Sequence, residues 1–336
     1  MTSPSLSVII LAAGKGTRMK SDKAKVLHEV FYAPMIHHVI NATLPLHSLQ
    51  TVIIIGHQKD EVEQSLVSFS VTCVVQKEQL GTGHAVLVAE QALSEEADTV
   101  MILCGDTPLI QAETLQEMYA CHQKSGAKLT LMTTVLDNPT NYGRIVSDTN
   151  NKIQGIVEQK DATAEQRRIK EINAGIYCVD KDFLFSSLKK VGTDNSQGEV
   201  YLTDIVKLAV EDNLAVEKYL AQSPVDVLGV NSRIELAGAQ NELQMRRNRT
   251  LMLQGVTINN PQTVTVSPES SIERDTLLEP LVSISAGSRI GHSCRIGQGT
   301  LLQDCNIANN VTIGPYSCLS GTTVAAGTIL PPFSKT

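Results

Sequence analysis

From Ile284 onward an aliphatic residue returns every six positions: Ile284, Ile290, Ile296 and Leu302, then Ile307, Ile313 and Leu319, then Val324 and Leu330, with one five-residue step between groups. An antiparallel sandwich would show a period of two and hairpin turns between its strands. A period of six instead predicts a parallel β-helix, in which each short strand turns its aliphatic residue inward and small residues such as Gly291, Gly297 and Gly314 form the corners. Residues 256–330 then supply about four triangular coils, at roughly eighteen residues per coil. The period does not set the hand of the helix. A prism this short has open ends and flat faces, which predicts association with further copies.

Residues 1–228 have a different character. Apolar strand-like runs alternate with helical patterns, as in a mostly parallel sheet covered by helices, so the fold class is α/β with a Rossmann-like first domain. Strands are expected at Ser7–Leu11, Thr51–Ile55, Val71–Gln76, Thr99–Leu103, Lys128–Val135, Ile153–Val157 and Gly175–Val179. Helices are expected at Pro34–Thr43, Gly83–Ala92 and Ala112–Gln123. Residues 232–253 read as a connecting helix: Ser232-Arg233-Ile234-Glu235 fits a capping box and Gly255 follows the end. The predicted domains are therefore 1–231, a linker helix over 232–254, and a β-helix over 255–336. The chain's 336 residues, 42% of them hydrophobic, suffice for two buried cores.

The first apolar run opens into Leu11-Ala12-Ala13-Gly14-Lys15-Gly16-Thr17-Arg18-Met19, with Lys25 close behind. Gly14 and Gly16 are expected to take positive φ and to let the backbone approach a polyphosphate, helped by the N-terminus of a following helix. Arg18 and Lys25 add full charges where a departing pyrophosphate builds negative charge. The loop lacks the Gly-Lys-Ser/Thr ending of a P-loop and the third glycine of a dinucleotide fold. Asp106 ends a strand in Leu103-Cys104-Gly105-Asp106-Thr107-Pro108. A carboxylate facing triphosphate oxygens suits Mg²⁺, which prefers hard oxygen donors shared with phosphates; a turn-initiating aspartate is the alternative. Gln76, in Gln76-Lys77-Glu78-Gln79-Leu80-Gly81-Thr82, can offer both amide donor and acceptor to a base edge, while Gly81 and Thr82 permit close backbone contact. In open α/β sheets these strand-end loops converge on one cleft.

Other readings are constrained by charge and cysteine usage. A formal net charge of −7 argues against a nucleic-acid surface, and Arg246-Arg247-Asn248-Arg249 is expected to be a solvated helix face. Seven cysteines without a Cys-x-x-Cys pair favour free thiols in a reducing compartment. With no signal peptide or membrane-length apolar run, a cytoplasmic protein is expected. His28, His37 and His38 are expected to be structural.

The glycine-rich stretch resembles the L-A-A-G-x-G-T-R-M-x(n)-P-K motif of sugar-1-phosphate nucleotidyltransferases, with Ala24 in place of the usual proline. The Gln76–Ala85 segment resembles Q-x-E-x-L-G-T-x-H-A of N-acetylglucosamine-1-phosphate uridyltransferases, which are usually fused to an acetyltransferase. The similarity continues through Asn138–Ile145, Gly155–Ala162, Glu171–Gly175, Gly198–Asp204 and Gly229–Arg233, so it spans residues 5–255; in Cys104-Gly105-Asp106, Cys104 departs from the tyrosine common in the family's Tyr-Gly-Asp triplet. This resemblance implies that Leu11, Ala12, Ala13, Gly14, Gln76, Gly81 and Thr82 hold the uridine of UTP. It further implies that Gly143, Glu158 and Asn173 hold amino sugar and ribose, with Asn231 also among the sugar-binding residues. Asp106 and Asn231 would bind Mg²⁺, and Arg18 and Lys25 would act on the phosphates. The implied reaction is in-line attack of N-acetylglucosamine-1-phosphate on the α-phosphorus of UTP, releasing pyrophosphate, with no general base required. Alternatives are another nucleotide or sugar phosphate, a non-catalytic binding subunit, and a bifunctional enzyme that also acetylates glucosamine-1-phosphate. The resemblance also implies a left-handed β-helix and, because hexapeptide-repeat proteins commonly pack three such prisms side by side, a homotrimer through it. Because the repeat stops at Leu330-Pro331-Pro332-Phe333 and carries one histidine, His292, no acetyltransferase activity is expected.

Overall fold

The computed structural model describes residues 5–336. They form two compact units, one running through Glu29 and over Ala33–Glu235, the other made of Val30–Tyr32 and Leu236–Thr336.

In the first unit the apolar runs become β1 (Leu6–Ala12), β2 (Gln50–Ile55), β3 (Thr72–Val75), β4 (Thr99–Cys104), β5 (Leu129–Val135), β6 (Arg144–Ser147), β7 (Ile153–Val157), β8 (Glu171–Asp180) and β9 (Val216–Leu220). They make a single sheet in the order β9-β5-β8-β4-β1-β2-β3, with β6 paired to β8 and β7 to β6. Helices α1 (Met35–Thr43), α2 (Lys59–Ser65), α3 (Thr82–Leu87), α4 (Ala112–Ser125), α5 (Lys181–Leu188) and α6 (Asp204–Glu211) connect and cover the strands. Strand β1 lies parallel to both β2 and β4, and β2 parallel to β3. Because helices cover both faces, alternate residues of β1 enter two different cores: Leu6, Val8 and Ile10 pack with Ile36 and Met118, while Ile9 packs with Val86 and Ile205.

Three expectations are corrected. The sheet is less parallel than the sequence implied, since β8 runs antiparallel to β4, β5 and β6. The chain after β1 does not enter a long helix; it makes two three-residue 3₁₀ turns, Thr17–Met19 and Lys25–Leu27, and the first α-helix starts at Met35. So short a turn carries little dipole, and positive charge here comes from side chains. Among the glycines of the loop, Gly16 has positive φ (62°) and Gly14 does not.

Helix α7 (Arg233–Leu253) begins as the capping signal predicted: the Glu235 N–H donates to Ser232 Oγ at 3.3 Å. The Glu235 carboxylate reaches one residue further back than a standard box, accepting from the Asn231 N–H at 2.6 Å. The basic run at 246–249 is not a solvated face. Asn248 is fully buried and its Nδ2 donates to Pro261 O and Val264 O at 2.8 and 2.7 Å, while the half-buried Arg247 guanidinium donates to Ser270 O.

The second unit is a left-handed parallel β-helix. Thirteen short strands stack into one five-stranded and two four-stranded parallel sheets, which is four full coils and the start of a fifth. Ile284, Ile290, Ile296, Leu302, Ile307, Ile313 and Leu319 are at most 1% exposed, and the same phase extends upstream through Leu278, Ile272 and Val266. Gly291, Gly297 and Gly314 take the corners because a Cβ there would lie within 3 Å of the backbone of the next coil. Cys294 and Cys305 fill the small buried position two residues before an inward aliphatic; all seven cysteines are free thiols.

Candidate active site

The carboxyl ends of β1, β3 and β4 bring three loops together, as the sheet geometry predicts. Leu11, Ala12, Ala13, Gly14, Lys25, Gln76, Gly81, Thr82 and Asp106 line one cavity of about 280 Å³. The Gly105 N–H donates to Leu11 O at 2.9 Å, and Gln79 Nε2 to Ala13 O at 2.8 Å, so the loop after β1 is held from both sides. Nothing lies within 4 Å of where a Gly14 Cβ would point, so glycine there leaves space toward the cavity. Gly16 is constrained differently, because a Cβ would meet the Lys25 side chain at 2.5 Å. Gly81 is also required by packing: its φ is 108° and a Cβ would strike Val200 O at 2.6 Å.

The amide of Gln76 is almost buried and its orientation is set by the protein. Nε2 faces Gly81 O at 3.2 Å and His84 Nδ1 at 3.0 Å, which leaves Oε1 as the group available to a ligand. The expectation of a free donor and acceptor is thereby reduced to an acceptor.

At the mouth of this cavity four side chains converge. Lys25 Nζ forms an ion pair with Asp106 Oδ2 and donates to Asn231 Oδ1 at 2.9 Å; Arg18 Nη2 donates to the same Asn231 oxygen at 2.8 Å. Arg18 lies outside the cavity wall and reaches it through Asn231. Backbone brings Asn231 here, since the Val230 N–H donates to Asp106 O at 2.8 Å and Asn231 Nδ2 to Gly229 O at 3.2 Å. One carboxylate oxygen and one amide oxygen already share a cation, a hard-oxygen donor pair of the kind Mg²⁺ uses when phosphates supply its other ligands. No cluster of three or more His, Cys, Asp or Glu suited to a metal occurs among the described residues.

A second cavity, sharing Leu11, Thr82, Cys104 and Asp106 with the first, is lined by Tyr142, Gly143, Glu158, Asn173, Thr203 and Asn231. Its floor follows from strand register. Arg144 stands opposite Val157 on β7 and Ile172 on β8, so the next rung outward sets Gly143 between Glu158 and Asn173; the Asn173 N–H donates to Gly143 O at 2.9 Å. Glycine is needed in the middle, where a Cβ would lie 2.9 Å from Ile156 Cγ2 and 3.4 Å from Glu158 Oε1. The Asn173 side chain is already engaged: Nδ2 donates to Tyr177 Oη at 2.6 Å and Oδ1 accepts from the Gly175 N–H at 3.0 Å, holding a bulge in β8.

Burial governs the titration of this cavity. It pushes the Glu158 carboxyl up, against the opposing hydrogen bond donated by Thr203 Oγ1. It also drives Tyr142 and the Cys104 thiol each to about 12, so both stay protonated at neutral pH. Cys104 Sγ lies 3.7 Å from Gly175 O, and a Gly175 Cβ would meet that sulfur at 3.3 Å. Gln79, Tyr142 and Thr203 were missed as site residues, although each lies within a quoted motif segment. His28 and His37 serve packing: His28 Nδ1 meets Arg233 at 3.1 Å and His37 Nε2 meets Ser65 O at 3.0 Å.

Comparison with known proteins agrees with this geometry. Residues 7–232 match the Nucleotidyl transferase family. "Bifunctional protein GlmU" of Desulfotalea psychrophila is 53% identical over 97% of this chain and 96% of its own length. The protein of the same name from Geobacter metallireducens is 46% identical over 89% of this chain and 63% of its own length, and that of Shouchella clausii 40% identical over 97% and 71%. The chain belongs to the GlmU family. It is a nucleotidyltransferase enzyme of that family, with a β-helix following its nucleotidyl transferase domain. Among the described residues no helix is long and apolar enough to cross a membrane.

Proposed function

We propose that the two adjoining cavities bind UTP and N-acetylglucosamine-1-phosphate side by side, and that the reaction between them yields UDP-N-acetylglucosamine and pyrophosphate. The observation that carries this reading is the convergence of Asp106, Asn231, Lys25 and Arg18 where the cavities meet, between a loop built to approach a nucleotide and a rung bearing Gly143, Glu158 and Asn173. In this assignment Leu11, Ala12, Ala13, Gly14, Gln76, Gly81 and Thr82 hold the uridine. Gly143, Glu158 and Asn173 hold the sugar side.

Asp106 and Asn231 would hold Mg²⁺, which when bound neutralises triphosphate charge and fixes the α-phosphate for attack. The chain's own part is alignment and charge. Lys25, now paired with Asp106, has a flexible stem able to turn its ammonium onto phosphate oxygens, and Arg18 presents its fork beside it. Neither residue must accept a proton, because a sugar phosphate is already ionised near neutral pH. Pyrophosphate release measured with a panel of nucleotides and sugar phosphates tests the reading; a clear preference for a pair other than UTP with N-acetylglucosamine-1-phosphate would refute it.

We assign nucleotidyl transfer to residues 1–231, connection to 232–254 and assembly to 255–336. Exposed Leu301 on a strand of the β-helix, and exposed Leu281 and Tyr316 at its turns, support a homotrimer formed through this unit; light scattering showing a monomer at micromolar concentration would overturn that. The free thiols support a cytoplasmic site of action. The β-helix holds one histidine, His292, and few basic side chains, so residues 1–336 should release no CoA from acetyl-CoA in the presence of glucosamine-1-phosphate.

A further inference from the structure

Arg144 has no place in the chemistry described so far, and it is among the largest fully buried side chains of the molecule, 1% exposed. A buried guanidinium is costly unless its donors are used. Here Nη1 donates to Tyr142 O and Nη2 to Gln159 Oε1 at 2.6 Å, while Nε has no hydrogen-bond partner. These acceptors are informative. Tyr142 immediately precedes Gly143, and Gln159 immediately follows Glu158, so the two arms of one fork tie together the chain segments on either side of the outward rung. The rung of Arg144 itself needs no cation: Val157 and Ile172, its partners across the sheet, are apolar and pair through backbone. An arginine at this point therefore contributes to the strand ends, where β6 and β7 leave the sheet and carry Gly143 and Glu158 to the cavity wall.

We propose that Arg144 is a positioning residue for the sugar-phosphate subsite, fixing the spacing between Gly143 and Glu158 by bridging Tyr142 O and Gln159. The proposal rests on the assignment of Gly143, Glu158 and Asn173 to the sugar side. Arg144 is not among the residues lining either cavity, so its loss acts through Gly143 and Glu158, on the sugar side alone. Lysine cannot replace it, because a single ammonium on a flexible stem does not hold two acceptors in a fixed fork.

The test is steady-state kinetics on residues 1–336 with each substrate varied separately. Arg144→Lys and Arg144→Met should raise KM for N-acetylglucosamine-1-phosphate about tenfold or more, with KM for UTP unchanged. Gln159→Met removes only the side-chain acceptor at the half-buried end, and should raise the same KM by a smaller factor; it decides the matter if the Arg144 variants do not fold. Glu158→Gln is measured beside them. If it leaves the sugar-phosphate KM unchanged, the subsite assignment is wrong. If it raises that KM while the Arg144 and Gln159 variants do not, or if they raise both KM values equally, the assignment stands and the positioning role of Arg144 is overturned.

Discussion

The two units end their parallel strands in opposite ways. From residue 275 onward the β-helix turns through a left-handed residue in each repeat, at 275, 281, 287, 293, 299, 304, 310, 316, 321, 327 and 333, with Ala286 left-handed beside 287. Those positions hold glycine, aspartate, asparagine and serine, and also Leu281, Tyr316 and Phe333. This left-handed position, unlike the crowded one at Gly291, Gly297 and Gly314, requires a conformation and accepts many side chains for it, the cost of about 1–2 kcal/mol for a non-glycine residue being met by ladder hydrogen bonds on both sides. In the first unit β1 and β4 run on into Gly14 and into Gly105-Asp106, which share no repeated conformation: a Gly105 Cβ would meet Leu11 O and Val26 Cγ1 at 3.2 Å. Gly14 has no positive φ and no neighbour for a Cβ. Repetition builds the scaffold, and the proposed chemistry sits where repetition is absent.

The largest expected effect is at such an aperiodic end. Asp106→Asn keeps the shape of the side chain but removes the charge facing Lys25 and Asn231. Pyrophosphate release should fall by about 10²–10³-fold, with the thermal midpoint nearly unchanged. Near-normal turnover in Mg²⁺ would remove Asp106 from the metal site.

Next in size is a periodic position. Ile296→Ala empties a fully buried site in the β-helix and should cost about 2–5 kcal/mol of that unit's stability, because each coil rests only on its neighbours. Turnover per folded active site should not change. A matching loss of kcat without unfolding would show that the division between scaffold and chemistry is wrong.

Lys25→Ala and Arg18→Ala should each lower kcat by about tenfold to a hundredfold while weakening UTP binding less, if their contacts strengthen as pyrophosphate departs. Calorimetric affinity and kcat falling by equal factors would mark them as binding residues only. Lys25 carries a second readout: without its ammonium on Asp106 and Asn231, the nucleotide-free protein should bind Mg²⁺ more tightly, and unchanged affinity would mean that lysine and metal do not compete.

The same contrast explains what could be read from the residues. The β-helix was legible because one period governs every coil; its upstream turns through Val266, Ile272 and Leu278 lie on the same phase and needed only the period to be followed backward. The central strands of the sheet were legible as apolar runs. Strands β6 and β9 were not: Arg144-Ile145-Val146-Ser147 is short and opens on a charge, and Val216-Glu217-Lys218-Tyr219-Leu220 carries two charges on an edge strand, with Lys218 held by Glu171 at 3.1 Å. The antiparallel direction of β8 has no local signal, since strand direction is a property of the path between strands. In the site, motif positions led to the lining residues, but the orientation of Gln76 and the engagement of Asn173 depend on His84 and Tyr177, which no spacing rule reveals. Arg247 and Asn248 read as solvated because helix periodicity cannot show which polar residue meets a backbone carbonyl.

The smallest expected effect concerns Ala24, which stands just before Lys25 where the resembling motif has proline. Its backbone, at φ −51° and ψ 134°, already lies where a proline ring would hold it. Its N–H donates no hydrogen bond among those described, so a proline would remove nothing. The conformation that aims Lys25 is thus set by the surrounding packing, with Ala24 only 1% exposed, and the missing ring is felt mainly in the unfolded chain. Ala24→Pro should therefore stabilise the protein by about 0.4–1 kcal/mol, read as a small rise in thermal midpoint, with kcat and both KM values unchanged. A fall in stability would mean that the buried surroundings have closed over the space a ring needs. A rise in kcat would mean that Lys25 is not yet held in its working position, and that this strand end, like a corner of the β-helix, is limited by backbone conformation after all.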